Sequence, residues 1–202
     1  MDWLNQLIFW IPLLIVVGIL LWLWREDVTT GQLQIVRVRK AIKIVVIVII
    51  IQYLLKIALF FWFLKKDPFG PYLLAGEGTN FIFQNIWVMI KPLLLATLVA
   101  LVLVLIVILI KRVTQRPLFE EVDIYVIFLT SFLVGFPGIF VLLIGAFMSM
   151  IIWQLIHSAL SKSPLNQFRL RLSPFLLIVT IANLILLNFR FYQNFLVTVH
   201  LY

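Results

Sequence analysis

The chain contains no cysteine, and histidine occurs only twice in 202 residues. Without a thiol there can be no disulfide, no thiolate metal site and no cysteine nucleophile. Charge is also scarce. Asp, Glu, Lys and Arg make up 12% of the residues, against about 25% in an average soluble domain. No serine, histidine and acid set, metal-ligand cluster or phosphate-binding glycine loop occurs at a usable spacing. Repeats, low-complexity tracts and linkers are missing too, so residues 1–202 read as a single domain.

Apolar surface dominates what remains. Hydrophobic residues account for 64% of the chain and the mean hydropathy is +1.18, an excess that no soluble domain of this length can bury. Several apolar runs reach the roughly 20 residues that a helix needs to cross about 30 Å of hydrocarbon. The expected fold is therefore all-α, a polytopic bundle of about six transmembrane helices, with the lipid bilayer as its principal partner.

The net charge of +8 would point to nucleic acid in a soluble chain, but here Lys and Arg fill the gaps between apolar runs, as the positive-inside rule describes. The 18 Phe and 7 Trp lie inside or at the ends of those runs and form no basic, stacking surface. No nucleic-acid partner is expected. The first run is preceded by Asp2 rather than a basic region and reads as a membrane helix, not as a removable signal.

Helix one is expected over residues 7–24, closed by Trp22 and Trp24 and followed by Arg25, Glu26 and Asp27. The cluster Arg37, Arg39, Lys40 and Lys43 then assigns this end to the cytoplasm and the N-terminus to the outside. Helix two is expected over 44–64, an external loop over 65–87 and helix three over 92–110, ending at Lys111, Arg112 and Arg116. Residues 124–156 are too long an apolar run for one span, and Gly135-Phe136-Pro137-Gly138 interrupts them. A hairpin there returns the chain to the cytoplasmic side, where Lys162, Arg169 and Arg171 follow. Helices four and five then cover 124–134 and 139–156. Helix six starts at Pro174, a residue suited to a first helical turn, and leaves the C-terminus outside.

This topology places Asp27 and Asp123 at the same membrane face. Two carboxylates brought together where water is scarce cannot both ionise cheaply, and they share a proton near neutral pH. The ionised member can activate a water while the protonated one donates to a scissile carbonyl. Such chemistry needs no metal and no cofactor. The alternative is that acidic residues at a membrane border are simply solvated, and Glu26, Glu120 and Glu121 lie equally near, the last two standing as substitutes if helix four begins in another register.

Asp27-Val28-Thr29-Thr30-Gly31-Gln32-Leu33 resembles the first aspartate segment of the type IV prepilin peptidase family. Asp123-Ile124-Tyr125, opening a helix that reaches Gly135-Phe136, resembles the family's GxGD segment, although Glu120 and Val122 replace its glycines, Tyr125 replaces a lysine, and Leu33-Gln34 stands for an Ile-Pro. Arg171-Leu172-Ser173-Pro174-Phe175-Leu176 is similar to its late Pro-Phe-Gly-Pro-Phe-Leu segment. Asp67-Pro68-Phe69-Gly70-Pro71-Tyr72-Leu73 matches those words more closely but falls in the expected external loop. The resemblance runs from about residue 7 to residue 187. It implies a membrane aspartic endopeptidase of multi-pass, cell-membrane location, with Asp27 and Asp123 catalytic and pilin-like precursor peptides as substrates. It also implies a short form, since the zinc-binding cysteines of a further N-terminal domain are lacking.

Two other readings compete with it: an inactive relative that binds or assembles partners, and a small transporter or channel subunit. The latter needs polar groups near the bilayer midplane, for which Gln52, Lys56 and Asn183 are the candidates. Lys56 is an intramembrane cation that can mark a site or snorkel. His157 can orient a carboxylate or cap a helix end, and Asn183 and Asn188 suit interhelical hydrogen bonds.

Overall fold

The structure is a computed structural model, and it describes residues 2–30, 33–66, 68, 70, 79–114, 120–135, 138–161 and 172–186. Among them are six α-helices and no strand: α1 (Asp2–Thr30), α2 (Ile35–Lys66), α3 (Thr79–Thr114), α4 (Glu121–Val134), α5 (Gly138–Ser161) and α6 (Ser173–Leu186). Four contain stretches long and apolar enough to cross a membrane: Gln6–Thr30, Ile35–Lys66, Asn80–Val113 and Gly138–Ile156. Apolar side chains such as Leu14, Ile47, Leu54, Leu98, Leu105 and Ile144 are exposed along them, as expected of surfaces that lie in lipid. This is a membrane protein.

The two shortest helices sit at the centre. α4 packs against α2, α3, α5 and α6, while α6 packs against α1, α4 and α5. At 14 residues each they rise about 21 Å, short of the bilayer core, and bury one face against longer neighbours. Val126, Ile127 and Leu129 of α4 meet a core that includes Leu176, Leu177 and Ile181 of α6, Leu20 and Leu23 of α1, and Leu142 of α5. Lipid tails are as apolar as leucine, so close packing rather than water exclusion holds such helices together. Gly145 shows how close they come: a Cβ there would lie 2.9 Å from Val179 of α6.

The turn expected at Gly135 is a true reversal. Gly135 closes α4 with φ 65° and ψ −174°, backbone angles that essentially only glycine adopts, and its N–H bonds the Ser131 carbonyl at 2.9 Å. Val179 lies only six residues, about 9 Å, beyond the start of α6. For Gly145 to touch it, α5 must descend beside α6 rather than continue α4.

Helix boundaries depart furthest from the expectation in three places. α1 continues through Arg25, Glu26 and Asp27 to Thr30, and the Thr29 and Thr30 hydroxyls fold back on it, each donating at 2.7 Å, to the Arg25 and Glu26 carbonyls. α2 begins at Ile35, so its basic cluster is helical instead of a connecting segment. α3 begins at Thr79 and carries Pro92 in its interior, so the loop before it is shorter than 65–87. Pro92 sits inside an apolar helix, where neighbouring helices make a helix-breaking residue tolerable.

Candidate functional site

The last turn of α1, the first turns of α2 and α4, and the start of α6 converge at one end of the bundle. α1 ends at Thr30 and α2 begins at Ile35, while α3 ends at Thr114 and α4 begins at Glu121. At this end Asp27 and Asp123 are both only 4% exposed.

Ser173, the first residue of α6 and itself buried, links the two carboxylates. Its Oγ donates to Asp27 Oδ2 at 2.5 Å, and its backbone N–H acts on Asp123. A helix start suits this role, since first-turn amides lack intrahelical acceptors and the positive end of the dipole favours an anion by about 0.3–1 kcal/mol. The following Pro174 has no N–H and gives nothing up at that position.

Asp123 lies ahead of the apolar stretch of α4. Its Oδ2 accepts the Glu120 N–H at 3.0 Å, closing the first turn. Burial raises its carboxyl above the usual carboxylate range, and the charges of Glu120 and Asp27 push the same way against the Glu120 and Ser173 amides. Asp27 is therefore close enough for its charge to bear on Asp123. Desolvation plus a like charge is the physical recipe for one proton held between two acids.

The surrounding acids divide cleanly. Glu120 and Glu121 are exposed, while Glu26 is buried and its Oε2 lies 2.8 Å from Arg37 Nη1. The α4 register thus turns Asp123, and neither glutamate, into the bundle. Two residues beyond Asp123, and so on another face of α4, the Tyr125 ring stacks with Arg39 at 4.8 Å, and Arg39 donates to the Tyr125 hydroxyl.

The other sequence candidates lie elsewhere. Lys56 is half-buried, 5.3 Å from the Tyr53 ring, in a cleft of about 430 Å³ whose lining is otherwise apolar and includes Phe9, Phe60 and Met89. Gln52 borders separate clefts on the same helix, and Asn183 is buried in α6. The three do not gather around one cavity. His157 belongs to α5, but its side chain lies outside the described residues, as do Asn188, Arg116, Lys162, Arg169, Arg171 and most of the segment 67–73.

Sequence reasoning overlooked Ser173 as a site residue. The signal was available: a serine immediately before the proline of a helix start, in the segment resembling the family's third motif. Arg39 with Tyr125 left no comparable trace, because nothing local pairs positions in different helices.

Comparison of the chain with protein-family models, with curated proteins and with solved structures finds no match.

Proposed function

We propose that this protein is a membrane-embedded aspartic endopeptidase that cleaves pilin-like precursors at the cytoplasmic face of a cell membrane. The observation that carries the reading is a pair of aspartates buried at one end of the bundle, Asp27 held by the Ser173 hydroxyl at 2.5 Å and Asp123 pushed toward its neutral form by burial. In this proposal one carboxylate takes a proton from water as the water attacks the scissile carbonyl. The other acid donates to the carbonyl oxygen; as the tetrahedral intermediate collapses it takes that proton back, and the first carboxyl passes its proton to the departing amine. Asp123, held toward its neutral form by burial, suits the donor role, and Asp27 the base.

The resemblance of the three segments to the prepilin peptidases supports the substrate class. A pilin-like precursor has a short basic leader joined to an apolar helix, so the cleaved junction lies at the membrane border where these acids sit. Tyr125 occupies the place of a lysine in that resemblance and makes its contact with Arg39 instead.

A structural role alone is the second reading, favoured by the bond from the Glu120 N–H to Asp123 that closes the first turn of α4. Co-expression with a pilin-like precursor separates the two. Loss of leader cleavage in both Asp27→Asn and Asp123→Asn, with the protein still folded, is expected of a protease. Cleavage surviving in either variant would sink it.

A further inference from the structure

Beside the aspartates, but facing outward, a cleft of about 360 Å³ opens between α2, α3 and α4. Its walls are Ile42, Val104, Ile124 and Phe128, with Arg39, Lys43 and Tyr125 completing the lining. Among the described residues no acidic side chain lines it. The helices that form it expose apolar side chains beside it, including Ile44 and Ile47 of α2 and Leu101 and Leu105 of α3.

We propose that this cleft is a binding site for one anionic phospholipid, its phosphate between Arg39 and Lys43 and part of an acyl chain against the apolar walls. Basic residues at a membrane border are ordinarily orientation signals or snorkelling side chains, and three features set these apart. Arg39 and Lys43 are four residues apart on α2 and therefore share one helix face. Contact with the Tyr125 ring and hydroxyl holds the Arg39 guanidinium at the cleft, which lowers the ordering cost of binding a phosphate. Apart from the two cations and the Tyr125 hydroxyl the lining is apolar, so a free phosphate would leave most of it uncovered, whereas an acyl chain fills it. Basic pockets between membrane helices hold anionic headgroups for the same electrostatic reason. A leader peptide that is itself basic would be repelled by Arg39 and Lys43, so the site is distinct from the one proposed for substrate and does not rest on protease activity.

The test is native mass spectrometry of the full chain in neutral detergent, titrated with phosphatidylglycerol or with phosphatidylcholine. One phosphatidylglycerol is expected to stay bound in clear preference to phosphatidylcholine. Lys43→Gln and Arg39→Gln each should weaken it by roughly fivefold, the worth of one cation near an anionic headgroup. Val104→Trp, which fills the apolar wall and leaves both cations in place, should remove it. Arg39→Gln also breaks the contact with Tyr125, so Lys43→Gln and Val104→Trp keep the test decisive even if that variant folds poorly. Lys66→Gln, at the opposite end of α2, is the control and should bind as the parent does. Equal retention of both lipids overturns the proposal, as does binding that persists in Val104→Trp or that falls as far in Lys66→Gln. A dimer, or a co-purified apolar peptide, seated there in place of lipid overturns it as well.

Discussion

Ser173→Ala removes one oxygen from the centre of the candidate site. The parent hydroxyl donates to Asp27 at 2.5 Å with both residues buried, and a hydrogen bond to a charged group is worth about 1.5–3 kcal/mol. The backbone N–H that acts on Asp123 is kept, and Asp27 retains further interactions, which directs the loss to a single bond. For a chain of this size that amounts to a melting-temperature drop of about 3–12 °C. Thermal unfolding in detergent, followed by the fluorescence of the seven tryptophans, reads it directly. The same measurement on Asp27→Ala, which removes the accepting oxygens, and on the double variant completes a cycle in which the two losses should not add, since each removes the same bond. An unchanged melting temperature in Ser173→Ala, or losses that simply add, would refute the bond between Ser173 and Asp27.

Asp123→Asn should change the pH dependence of stability. Burial raises the Asp123 carboxyl, so at low pH it is neutral whether folded or unfolded. As pH climbs past the ordinary carboxylate range the unfolded chain ionises first and the parent loses stability, until the pH exceeds the raised native value. The advantage of the Asn variant should therefore widen across that window, and denaturant midpoints measured over a pH series would show it; a flat difference would mean that Asp123 is not raised. Gly135→Ala should cost about 1–3 kcal/mol, because its positive φ with extended ψ belongs essentially to glycine, while the space is ordinary, with Ala96 3.4 Å from the added Cβ; chemical unfolding measures it. Orientation is accessible because the chain has no native cysteine: Lys66→Cys should react with an impermeant maleimide added outside intact cells, and Arg112→Cys only after lysis. The reverse pattern would invert the topology.

The border residues show why part of the fold was hard to read locally. Hydropathy drops at Arg25, and composition alone ends helix one at Trp24, yet the helix runs on to Thr30, where Thr29 and Thr30 turn their hydroxyls back onto the Arg25 and Glu26 carbonyls. A similar shift occurs at α2, where Arg37, Arg39, Lys40 and Lys43 occupy helical positions. Hydropathy locates the edge of hydrocarbon, whereas a helix ends where its backbone hydrogen bonding ends, and the two need not coincide. Pro92 likewise reads as a helix start in isolation, and the structure places it within α3.

Composition by itself determined the solvent, since 12% charge and apolar runs of spanning length have no stable home in water. The spacing of those runs determined the helices, and Gly135 marked the reversal between the fourth and fifth, because few other residues permit its backbone angles. The order of basic clusters brought Asp27 and Asp123 to a common face. Only the tertiary structure decided which acids at that face turn inward. Asp123 is buried while Glu120 and Glu121 stay exposed, and Ser173 arrives from the far end of the chain to act on both aspartates. The rotation of a helix about its axis is set by the neighbours it packs against, here α4 against four other helices. Those neighbours are distant in sequence, and no local pattern encodes the contact.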